Sequence, residues 1–175
     1  MPFAQTPWGR LLALLVVAGL LAALVGVISP VVRAAAAPGD QATRTCMSNI
    51  KALATAVNMY AQDNGQRFPL AKSWTGVLAR RYIKRMDALK CPKAPGISCG
   101  YAYNANLNGQ RLMSVPKPKD TVLLFESDKG WNASGESSLL TPKPRHNGGQ
   151  VVAFADGHAE WKSVADCKKL KFKAR

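Results

Sequence analysis

Residues 11–32, between Arg10 and Arg33, form a run of 22 residues without a charge. Leu, Ala and Val dominate it, and Gly19, Gly26, Ser29 and Pro30 interrupt it. Wound as a helix, such a run reaches about 33 Å, the thickness of a bilayer's hydrocarbon core. A chain of 175 residues has too little core to surround a helix that is apolar on every side. The run therefore predicts a long hydrophobic transmembrane helix within residues 1–33. A cleaved secretory signal is the rival reading, with Arg10 ahead of the apolar stretch and Ala34-Ala35-Ala36 as a small-residue cleavage site. The run exceeds the usual apolar core of about 7–15 residues for such signals, which favours retention as an anchor. Both readings put the remaining chain outside the cytoplasm.

Pro38-Gly39 breaks any continuing helix, so residues 34–45 read as a hinge or linker. A head over residues 46–167 follows. Cys46, Ile50, Leu53, Val57 and Tyr60 recur at helical spacing, and Asn64-Gly65 supplies a stop. A second, shorter helix is expected from a Ser73 cap through Trp74, Val77, Leu78 and Tyr82. Thr121 to Glu126 reads as a buried strand, and Tyr101 to Tyr103 as a short one. Val151 to Ala155 and His158 to Val164 flank Asp156-Gly157, a two-residue hairpin signal. That turn would set Val152 opposite Trp161 and put Val152, Phe154, Ala159 and Trp161 on one face. The fold class is α+β, an amphipathic helix packed on a small antiparallel sheet. Residues 168–175 read as a mobile basic tail.

Composition narrows the chemistry. A chain 47% hydrophobic and 19% charged is not disordered throughout. Its net charge of +14 admits contact with DNA, lipid headgroups or an anionic envelope polysaccharide. Arg80, Arg81, Lys84 and Arg85, and Lys168, Lys169, Lys171 and Lys173, are the candidate groups. Aromatic interleaving is sparse, so a dedicated single-strand binding surface is not indicated. Four cysteines without a Cys-x-x-Cys pair argue against a zinc module, so no metal site is expected. No nucleophile motif or phosphate loop is present, so no enzyme and no small-molecule substrate is expected. His146 and Asp156 would lie at opposite ends of one strand, about 20 Å apart, which points to structural roles. If Thr121–Glu126 pairs antiparallel with Val151–Ala155, Glu126 or Asp128 approaches His146, and a hydrogen bond or ion pair is expected there. Outside the cytoplasm the four cysteines suggest two disulfides, with three connectivities open.

Several motifs in order carry a resemblance. They are Cys46 to Leu53, Met59 to Pro69, Lys90-Cys91-Pro92, Gly100 to Asn104, Thr121 to Phe125 ahead of Glu126-Ser127-Asp128, and RHNGGQVVAFADGHAEW. The last contains His146, nine residues, then Asp156-Gly157. The chain resembles the pilin-like proteins of type IV pilus and type II secretion systems, in the branch with a C-terminal H-X9-DG motif. The resemblance implies an N-terminal helix anchored in the inner membrane, an extracytoplasmic head, and assembly with other pilin-like subunits. At the family's peptidase-site positions this chain has Trp8, Gly9 and Ala13 in place of Gly, Phe and Glu. Cys46 and Cys91 fall inside family-matching motifs, and Cys99 and Cys167 outside them. That implies bonds Cys46–Cys91 and Cys99–Cys167, with Cys91–Cys99 as the alternative. Calcium at Asp128 and neighbouring carbonyls is the weaker implication of the family, since one or two carboxylates fall short of the roughly six to eight oxygens it prefers. No other cofactor is implied.

Overall fold

The computed structural model describes residues 40–173. Helix α1, Gln41–Asp63, opens on Asp40, whose carboxylate accepts the Thr43 N–H at 2.8 Å and caps a donor the helix leaves unpaired. Residues 41–45, expected to be linker, are thus its first turn. Cys46, Ile50, Leu53, Ala54 and Val57 form its buried stripe. Gly65, at φ +65°, carries the chain out of the helix in a conformation glycine adopts freely. Helix α2, Trp74–Arg81, follows. Ser73 sits at its N-cap position but makes no side-chain cap bond. Asn132 caps the helix from a distant loop instead, its Oδ1 accepting Thr75 N–H at 2.9 Å and Gly76 N–H at 3.3 Å.

Five strands form one sheet: β1 Tyr101–Asn104, β2 Val122–Glu126, β3 Ser134–Gly135, β4 Gly149–Phe154 and β5 Ala159–Ser163, in the order β3-β1-β2-β4-β5. The expected antiparallel sheet is corrected to a mixed one, because β3 runs parallel to β1. The cause is topological. β2 runs antiparallel to β1 and ends beside Tyr101, so a chain turning round that end to the free edge of β1 must travel in β1's direction. The expectation of a long N-terminal hydrophobic helix falls on residues 1–33, outside those described. Among the described residues no helix is long and apolar enough to cross a membrane.

The hairpin register also differs. Trp161 pairs with Val151, and Glu160 with Val152. The loop has three residues, Ala155, Asp156 and Gly157, closed by Phe154 N–H to the His158 carbonyl at 2.9 Å, with Gly157 at φ +94°. A glycine in that conformation ends a three-residue hairpin with a bulge, which moves the pairing by one residue and exchanges the faces. Val151 and Ala153 consequently face α1, in a core with Cys46, Ile50, Leu53 and Leu124. Val152 and Phe154 lie on the opposite face with Val122, Phe125 and Phe172. A register shift between Val122 and Leu124 lets Leu123 and Leu124 both join the α1 side. A last short helix, α3 (Val164–Cys167), leads to the C-terminal segment. That segment is docked rather than free. Lys171 bridges Thr121 in parallel, its carbonyl accepts Val122 N–H at 2.9 Å, and Phe172 is buried against Phe125 with ring centroids 5.2 Å apart.

Candidate functional site

His146 begins a tight turn. Its N–H and carbonyl bond reciprocally with Gly149 at 3.2 and 3.0 Å, across Asn147 (φ +49°) and Gly148 (φ +77°). Positive φ at both central residues is the two-residue hairpin geometry that Asn-Gly favours. The turn throws the imidazole inward, where it is wholly buried. The last residue of β2, Glu126, is equally buried and meets it, His146 Nε2 standing 2.8 Å from Glu126 Oε1. The other oxygen of Glu126 accepts Val151 N–H at 3.0 Å, so β2 and β4 are tied by side chain as well as ladder.

Two cysteines complete the cluster. Cys46 enters from the second turn of α1, and Cys91 from the segment after a 3-10 turn, Met86–Leu89. Their sulfurs lie 2.8 Å apart, and Cys91 Sγ is 3.5 Å from both Glu126 Oε1 and His146 Nε2. All four described cysteines are free and buried. Cys99 and Cys167 do not meet. Cys99 bonds the Tyr101 carbonyl at 3.4 Å, and Cys167 the Lys162 carbonyl at 3.8 Å.

The surroundings fix these groups. Thr43 donates its hydroxyl to Asp40 at 2.7 Å, which leaves the oxygen to accept from His146 Nδ1 at 3.2 Å. That contact keeps a proton on Nδ1 and aims Nε2 into the cluster. Arg145 brings a positive charge 3.9 Å from Glu126 Oε1 while bonding the Gly100 and Ser127 carbonyls at 3.1 and 3.0 Å. Asp128 binds that same guanidinium through its carboxylate. The Cys91 thiol is lowered, first by its hydrogen bond from Cys46 and also by His146, while Cys46 is driven up by the same bond and by burial. Burial opposes charge on His146, but Cys91 and Glu126 outweigh it and raise it to about 9. Burial pushes Glu126 up against the pull of His146.

The remaining motif residues lie elsewhere. Asp156 and Gly157 form the far turn beyond β4, where Asp156 Oδ1 and His158 Nδ1 pair at 2.5 Å near the surface. The arrangement separates His146 from Asp156 by the length of a strand and gives each a turn to hold. Sequence reasoning missed Thr43, Arg145 and Trp161. Arg145 was signalled only by adjacency to His146. Trp161 became visible once the register was known. Its Nε1 donates to the His146 carbonyl at 2.8 Å, and its ring lies where a Gly149 side chain would be. Gly149→Ala would push its new methyl into that ring and the Lys162 carbonyl. It is expected to lower stability by about 1–3 kcal/mol, as overpacking does, and to shift the tryptophan emission. Urea denaturation followed by fluorescence measures both, and an unchanged midpoint would contradict the fit.

Comparison with protein-family models, with curated proteins and with solved structures finds no match for this chain.

Proposed function

We propose that the chain is a non-catalytic, pilin-like structural subunit of a type II secretion or type IV pilus-type assembly, held at the inner membrane with its head outside the cytoplasm. The burial of His146 carries this reading. The motif residue best suited to proton chemistry has no solvent access, and Thr43 and Glu126 occupy both ring nitrogens. A general acid or base must reach its substrate within hydrogen-bond distance, and this one faces only protein. The H-X9-DG motif then acts as two turn anchors on one strand. The uncharged stretch 11–32 supports membrane attachment.

A basic binding module for DNA or anionic envelope polymer is the second reading. Arg81 and Lys84 are exposed and rim a groove floored by Leu53, Ala56 and Met59, which favours it. The lysines of the C-terminal segment favour it less, because Lys169 and Lys171 lie 3.0 and 3.8 Å from Asp166 and Asp120. Protease accessibility of intact spheroplasts, combined with crosslinking, separates the readings. A structural subunit is expected in the membrane fraction, cleaved from outside, and crosslinked to itself or to other small subunits. A freely soluble monomer that retards duplex DNA in a salt-sensitive way would replace the first reading with the second.

A further inference from the structure

We propose that Cys46, Cys91, Glu126 and His146 form a closed structural zinc site. Their ligand atoms all lie within 4.8 Å of one another, and all four side chains are buried. Two sulfurs, one imidazole nitrogen and one carboxylate oxygen make a donor set suited to tetrahedral zinc. With four protein ligands no position is left for water or substrate, so the ion's work is to hold the head together. Two thiolates and a carboxylate bring three negative charges, and a divalent cation with the Arg145 guanidinium balances them.

The outer contacts match those of metal ligands. Thr43 holds the proton of His146 on Nδ1 and leaves Nε2 facing the cluster. Val151 N–H orients the Glu126 oxygen turned away from the cluster. The buried hydroxyl of Tyr101 adjoins Cys46, placed to donate to a thiolate there. The sulfurs, at 2.8 Å, stand between the roughly 2.05 Å of a disulfide and the roughly 3.8 Å across a zinc ion. What tips the choice is the other half of the cluster. A disulfide has no need of an imidazole lone pair and a carboxylate at the same point, and a zinc ion needs both. Zinc also joins elements distant in sequence, α1, the Cys91 segment, β2 and the β4 turn, as a structural ion does.

The test uses the full-length chain, produced with zinc in the medium and purified without chelator. Elemental analysis and native mass are expected to give one zinc per chain and no Cys46–Cys91 bond. Cys46→Ser and His146→Ala are expected to lose the metal, while the Cys99→Ser/Cys167→Ser double variant keeps it. Thr43→Val, which leaves all four ligands in place, is expected to weaken affinity by about 10–100-fold. Because ligand variants can fail to fold, cobalt is also exchanged into the unaltered chain, where thiolate-to-cobalt charge-transfer absorption is expected. A quantitative Cys46–Cys91 disulfide without metal, zinc that survives loss of both thiols, or a cobalt spectrum without thiolate absorption would each overturn the site.

Discussion

In the metal-free protein, Glu126→Ala is expected to lower the stability of the head by about 3–5 kcal/mol, the range for breaking a buried charged pair from one side. Folded domains of this size are stable by only about 5–15 kcal/mol, so the variant would stand near the edge of folding. The loss is concentrated. Glu126 Oε1 is the partner of His146 Nε2, and Oε2 is the partner of the Val151 N–H. Both donors would be left dry. Arg145 would suffer less, since the Gly100 and Ser127 carbonyls and Asp128 still hold it. A double-mutant cycle separates the pair from its packing. Glu126→Leu alone orphans His146, whereas Glu126→Leu with His146→Leu removes both polar groups and replaces them with apolar volume. The double variant is expected to be no less stable than the single, in urea titrations of each. A double variant that loses the sum of the two single effects would show that the residues act independently.

The coupling of these two residues explains why the cluster escapes a linear reading. Its donors stand at 46, 91, 126 and 146, each at least 20 residues from the next, so no short spacing announces them. They meet because α1 lies across the sheet and β2 and β4 are neighbours. The His146–Glu126 approach could be inferred from antiparallel pairing of those strands, for the end of β2 then falls beside the start of β4. The contribution of α1 could not, because a periodic stripe shows which helix face is buried and not what it is buried against.

The same distinction runs through the fold. The stripe of α1 was legible, since Cys46, Ile50, Leu53 and Val57 alternate with solvent-facing residues. The faces of β4 were not. The strand is buried on both sides, so Val151 and Ala153 look as apolar as Val152 and Phe154, and alternation carries no sidedness. Turn chemistry then had to fix the register alone. Asp156-Gly157 suggested a two-residue turn, but Gly157 is the left-handed residue of a three-residue loop, and the true two-residue turn is Asn147-Gly148. The C-terminal segment reads as a charged tail because lysines alternate along it, yet Leu170 and Phe172 sit at the alternate positions and cover the second core. The parallel strand β3 is two residues long and has no hydrophobic pattern of its own.

What holds β3 in place is a tertiary contact, and it carries the second large effect. Trp74→Ala is expected to cost about 3–5 kcal/mol, as truncation of a large buried aromatic does. Trp74 is the first residue of α2 and is wholly buried, its ring stacked on Tyr103 with centroids 6.0 Å apart. Its Nε1 donates to the Ala133 carbonyl at 2.9 Å, and the Tyr103 N–H donates to that same oxygen at 2.9 Å. One carbonyl thus joins α2, β1 and the entry to β3. The preceding residue strengthens the joint, since Asn132 caps α2 while its own N–H donates to Thr75 Oγ1 at 3.1 Å. Trp74→Phe keeps a six-membered ring in the site but removes the donor and three ring atoms, and Ala133 retains Tyr103 as a partner, so the expected loss falls to about 1–3 kcal/mol. The two variants should differ in kind as well as size. In the alanine variant, hydrogen exchange is expected to quicken across the whole head. In the phenylalanine variant it should quicken at Tyr103, where local opening of the β3 edge suffices, and leave the amides of β4 protected. Equal acceleration at Tyr103 and along β4 in the phenylalanine variant would show that the edge strand opens only with the whole head.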